Sequence, residues 1–179
     1  MLILRVAAVS VCYYLAAQVA FLLTYPGTYS PIIYFPAAIS IFAALIYGPT
    51  GLIAVFCGAL ITVLSQYLPT EPKLWSPFLS QTFAGPIEAL ICYLILNYVR
   101  GRNKLLVVLI GISGVVFAGI VGASIGAPSL HIAGIIQNEA IPKSIALWAS
   151  ADILGLLLGI LFYMIIANYG GRFKKLYNS

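Results

Sequence analysis

Six long apolar stretches dominate this chain and leave few folds open to it. They run over about residues 6–23, 32–47, 52–68, 78–99, 105–127 and 145–167. A helix needs ~20 apolar residues to cross ~30 Å of hydrocarbon, and most of these stretches approach that length. Backbone in lipid must satisfy its own hydrogen bonds, so only helices and closed barrels can span it. A barrel would show short segments of alternating polarity, and none appear. The expected fold is therefore all-α: a polytopic membrane helical bundle with six transmembrane helices, forming one integral-membrane domain over residues 1–179. Composition agrees, since 63% of residues are hydrophobic and only 7% charged. A soluble surface would need several times that charge.

The breaks between stretches carry turn chemistry. Thr24 to Pro31 combines Pro, Gly and tyrosines suited to a membrane interface. Gly48 and Pro49 make a tight, uncharged turn. Leu68 to Pro77 is Pro-rich, and Arg100 to Lys104 is basic. Pro128 to Lys143 reads as the longest connection, with Leu130 to Ile136 apolar enough for a short re-entrant helix. The first stretch follows a single base, Arg5, but lacks a small-x-small cleavage site, so it reads as a span rather than a removable leader. Its Ala8, Cys12, Ala16 and Ala20 recur at i+4 and predict a smooth packing face. Gly51, Val55, Gly58, Thr62 and Ser65 do the same for the third stretch, and Gly114, Ala118, Gly122 and Gly126 for the fifth. Such ladders read as packing devices. The three cysteines, Cys12, Cys57 and Cys92, lie in apolar stretches without CxxC spacing and read as buried small hydrophobes.

The basic residues set the orientation. Six spans place Arg5, Arg100, Arg102, Lys104, Arg172, Lys174 and Lys175 on one side, and Lys73 and Lys143 on the other. The positive-inside rule then puts both termini in the cytoplasm. It also accounts for the net charge of +5 without nucleic acid as a partner. The lipid bilayer is the expected surround.

Two acids break the apolar pattern. Asp152 sits in the sixth span and Glu88 in the fourth, and no Lys or Arg falls inside any span. A carboxyl in an oily helix is costly, faces protein or a wet cavity, and suggests function by default. Both spans run in the same direction, and at ~1.5 Å per residue the two acids differ in depth by only a few ångströms. The spacing permits a shared polar pocket without requiring one, and two neighbouring carboxyls do not both ionise easily. Gln81, Gly85, Glu88 and Cys92 share a helical face, as do Trp148, Asp152, Gly155 and Gly159. Candidate ligand-binding residues are therefore Glu88, Asp152, Trp148, Gln81 and Tyr34. Three readings stay open for the acids: hydrogen-bonded struts between helices, a pocket for a small polar or cationic ligand, or a proton or ion path. His131 has no ligating cluster around it, so no metal site is expected. Nothing in the sequence names a cofactor. Catalytic triads and phosphate-binding Gly loops are missing, and Asp152 follows Ala149-Ser150-Ala151 rather than the Gly-x-Gly of intramembrane aspartyl proteases. An enzyme is not expected.

The chain resembles the membrane-associated sensor domain of type one, a bacterial integral-membrane sensor family. Tyr34-Phe35-Pro36-Ala37-Ala38-Ile39-Ser40 stands where that family has a Trp-Pro-Pro-x-Gly-like opening. Tyr47-Gly48-Pro49 resembles its Gly-Pro turn, and Glu88-Ala89-Leu90 its Glu-Ala-Leu segment. Gly122-Ala123-Ser124-Ile125-Gly126 resembles its small-residue run. Trp148, Asp152 and Gly155 are similar to its Trp-Trp-x-Gly-Asp-x-x-Gly, with Ala151 in place of the Gly before the acid. The resemblance implies a multi-pass sensor in the bacterial inner (cytoplasmic) membrane, recognising a small molecule or ion. It also implies an attached output domain, or a cytoplasmic protein partner if the chain stops here. The small six-helix substrate-binding components of energy-coupling-factor vitamin transporters offer a second resemblance, through Pro36 to Leu64 and Gly48-Pro49-Thr50-Gly51. A third expectation is an assembly subunit without a ligand.

Overall fold

The structure is a computed structural model that describes residues 2–25, 30–66, 70–99 and 104–177, with side chains described for 2–25, 30–66, 70–99 and 109–166. Six α-helices follow one another: α1 Leu2–Leu22, α2 Phe35–Tyr47, α3 Pro49–Gln66, α4 Trp75–Val99, α5 Lys104–Ile132 and α6 Ile141–Tyr177. Five of the helical segments are long and apolar enough to cross a membrane, and α2 is the shorter, apolar exception. Arg100 and Arg102 lie outside the described residues, as do Pro26 to Tyr29, so the charge count behind the orientation is not visible in the fold.

α2 departs from the expected second span. It begins at Phe35 rather than near Ile32 and has 13 residues, giving ~20 Å at 1.5 Å per residue against ~30 Å of hydrocarbon. Pro36 falls in the first turn, where a missing N–H costs nothing. The backbone before it is irregular, with an isolated bridge between Thr24 and Pro31. Such backbone survives at membrane depth only where protein covers it. Here the Tyr34 N–H donates to the Ala151 carbonyl of α6 at 3.2 Å. α2 is also the hub of the bundle, packing against α1, α3, α4 and α6. Its Ala37 and Ile41 join Cys92, Val115, Ala118 and Leu156 in one core cluster. Its Ala43 joins Tyr13, Val55 and Ala59 in another.

α1 buries a different face from the expected one. Ser10, Tyr13, Ala17 and Ala20 are buried, whereas Ala8 and Cys12 are exposed. The cause lies on α3, where Gly58 leaves room for the Tyr13 side chain, so a ring enters a notch and smooth surfaces do not meet. The Ser10 hydroxyl lies within bonding distance of both the Val6 carbonyl (2.8 Å) and the Ala54 carbonyl of α3 (2.9 Å). Of the cysteines, Cys92 alone is buried, with Cys57 partly so.

α5 corrects the expected long connection. The helix continues through Pro128 to Ile132, and no separate re-entrant helix forms over 130–136. Leu130 and Ala133 are buried and hold this end to the bundle. The stop comes at Gly134, with φ +73°. Ile135 N–H donates to Leu130 O and Gly134 N–H to His131 O, both at 2.8 Å. These two bonds satisfy carbonyls that a helix end leaves open, and the positive φ they need suits glycine.

Candidate functional site

The fourth and sixth helices bring their acids together. α4 presents Gln81, Gly85 and Glu88 along one face, and α6 presents Trp148 and Asp152. Glu88 is 2% exposed and Asp152 8%. Their carboxyls are joined by a side-chain hydrogen bond. Carboxylates are acceptors only, so that bond requires at least one proton between the two groups. Glu88 Oε2 is buried and has no hydrogen-bond partner among the described residues.

The small residues around the pair explain how it fits. A Cβ on Gly122 of α5 would overlap the Glu88 carboxyl, and one on Gly126 would strike the Trp148 ring. The ladder on α5 is therefore a set of seats for specific side chains of α4 and α6. On α4, Gly85 leaves room for the Tyr13 hydroxyl, which lies 3.3 Å from that of Tyr34. On α6, Gly155 lies against the Tyr34 backbone, too close for any Cβ. A side chain from α1, the segment before α2, and the two acid-bearing helices thus converge with almost no slack.

They enclose a cavity of about 470 Å³, within the ~300–1,000 Å³ typical of small-molecule sites. Glu88, Asp152, Trp148, Gln81 and Tyr34 all line it, so the structure brings the five candidates to one place. Sequence reasoning missed Phe21, Thr24, Pro31, Gln66 and Gly122, which line it too. Thr24 and Gln66 sit at the ends of their helical stretches, where a polar residue reads as the start of a loop. Gly122 carried a signal, its place in the ladder, but one that spoke of packing. The cavity lies at the end of the bundle where α1 and α3 finish and α4 and α6 begin.

No Lys or Arg is among its described lining residues. The ion pair of Lys73 with Glu71, 2.9 Å long, is exposed and lies outside the cavity. Among the described residues no group of three or more His, Cys, Asp or Glu could hold a metal ion. His131 is exposed, with Nδ1 3.2 Å from the Ile136 carbonyl in the turn after α5.

The chain matches the family model of MASE1, the membrane-associated sensor domain, over residues 5–175, and it belongs to that family. No curated protein and no solved structure matches it.

Proposed function

We propose that this MASE1 chain is a sensor module that recognises a small polar molecule or ion in the cavity above Glu88 and Asp152, with Trp148, Gln81 and Tyr34 completing the binding site. One observation carries the reading: a carboxyl pair lines a cavity large enough for a small molecule, and a buried oxygen of that pair has no hydrogen-bond partner among the described residues. A purely structural strut would be expected to satisfy its own polar atoms. No catalytic role is assigned. The positive-inside count supports cytoplasmic termini, and the family supports a bacterial inner membrane; in that orientation the cavity end of the bundle faces outward.

The route to the cytoplasm is α6. It is one continuous helix of 37 residues, ~55 Å long, against ~30 Å of hydrocarbon. The helix that carries Asp152 therefore also carries its own end out of the membrane. The Tyr34 segment packs on α6 through its bond to Ala151 and its contact with Gly155. A ligand touching both Tyr34 and Asp152 bridges that joint. If it binds one packing of the joint more tightly than another, it shifts the population and moves the end of α6. A cytoplasmic partner or an output domain would read the movement. Family membership favours this reading over a transporter's substrate-binding subunit.

The test is stabilisation of the purified protein by small polar metabolites, compared with Asp152→Asn and Glu88→Gln. The sensor reading expects at least one compound whose effect is lost in both variants. An equal response in all three proteins removes the acids from the mechanism.

A further inference from the structure

The cavity also carries information about the charge of its occupant. Its deepest polar groups are the two carboxyls, and no basic side chain faces them among the described lining residues. The titratable groups around them are the hydroxyls of Tyr13, from α1, and Tyr34, before α2, and the Cys92 thiol on α4. α3 and α5 contribute Gln66 and Gly122 to the lining, and neither titrates. With only the one proton that their hydrogen bond requires at least, the two carboxyls hold one negative charge, and a monovalent cation neutralises it and favours that state over the fully protonated pair. An anion would meet repulsion with nothing to offset it. Carboxyl oxygens accept hydrogen bonds, and Glu88 Oε2, though buried, has no partner among the described residues, so an occupant with an N–H or O–H donor suits the pair. Further out, Phe21, Pro31 and Trp148 make much of the wall apolar. Aromatic faces both shelter an apolar body and attract a cation.

From these features the geometry points to a protonated primary or secondary amine on a compact apolar body as the ligand class. Its ammonium would sit on the Glu88–Asp152 pair, both of whose residues line the cavity. Its body would lie against Trp148 and Phe21. A quaternary ammonium, with no N–H, could donate to neither carboxyl. An inorganic cation would leave the apolar wall unused. This inference rests on the sensor reading and narrows it to one chemistry.

The experiment uses the full chain in lipid nanodiscs and four probes of similar or smaller size than the cavity. Phenethylammonium is the cation, 2-phenylethanol its neutral analogue, phenylacetate its anionic analogue and glucose a neutral polyol. Phenethylammonium should raise the unfolding temperature in a saturable way, and the other three should not. Removing one carboxyl of the pair by Glu88→Gln should weaken its binding about tenfold or more. If that variant folds poorly, the comparison of phenethylammonium with 2-phenylethanol on the unaltered chain decides the matter alone. Equal stabilisation by the alcohol, or no stabilisation by the amine, overturns the amine assignment. Stabilisation by glucose or phenylacetate that Asp152→Asn abolishes, with the amine silent, sinks the assignment and leaves the sensor reading standing. An amine effect that both acid variants retain in full defeats both.

Discussion

Gly155→Ala is the sharpest mutational probe of how the site is built. Gly155 lies where α6 meets the backbone of Tyr34, and an added Cβ would overlap the Tyr34 carbonyl group and press on the Ala37 side chain. Backbone cannot turn aside as a side-chain tip can. The Tyr34 segment must move away from α6, and its N–H bond to Ala151 O, 3.2 Å long, must stretch or break. Overpacking of this kind costs ~1–3 kcal/mol, and a lost hydrogen bond adds ~0.5–1.5 kcal/mol. Better helix propensity returns at most ~1 kcal/mol. The net expectation is destabilisation by ~1–3 kcal/mol, a fall of roughly 3–10 °C in unfolding temperature for a chain of this size. Gly111→Ala is the control. It is also a helical glycine, but its Cβ would meet only the Leu96 side chain at 3.6 Å, an ordinary contact. It should be neutral or slightly stabilising. Thermal unfolding of both variants in one detergent gives the comparison. Equal stability of the two would refute the close α2–α6 contact and the placement of Tyr34 that depends on it.

The acid pair should behave as a unit. Asp152→Leu strands the Glu88 carboxyl and should cost ~2–4 kcal/mol, whereas the double change with Glu88→Leu should cost less than the two single effects combined, as a double-mutant cycle of unfolding would show. Tyr13→Phe removes the hydroxyl that meets Tyr34 and occupies the notch at Gly85. It should lower stability by about 1 kcal/mol in the same assay. Gly126→Ala should displace the Trp148 ring, with a fall in intrinsic Trp emission or a change in its wavelength, and should weaken any ligand response by about tenfold.

Much of the architecture was legible because lipid imposes a simple rule on sequence. Apolar length and its interruptions located the helices, and the shared direction of the fourth and sixth placed Glu88 and Asp152 at similar depth. What escaped depends on pairwise fit. Ala8, Cys12 and Ala16 look like a packing face, yet α1 turns Tyr13 inward because Gly58 of α3 makes room for it. No pattern within α1 could say so. Pro128 reads as a stop, but the buried Leu130 and Ala133 hold the helix together past it until Gly134 can reverse the chain. α2 is short because the segment before it finds a hydrogen bond on α6, a partner more than a hundred residues away. The ladder on α5 was visible as small residues. That Gly122 receives Glu88 and Gly126 receives Trp148 was not, since the sequence does not disclose which helix faces which glycine.

Cysteine accessibility at Asp152 bears most directly on the idea of an acid pair in a wet cavity. In a chain whose Cys12, Cys57 and Cys92 are replaced by Ala, Asp152→Cys and Leu154→Cys would each be treated, in intact cells, with a small membrane-impermeant methanethiosulfonate. Asp152 lines the cavity, while Leu154 lies on the exposed side of the same helix. Rapid modification at 152 and none at 154 is the predicted result. Silence at both positions, or reaction at 152 only after the cells are opened, would contradict a cavity that reaches the acids from outside.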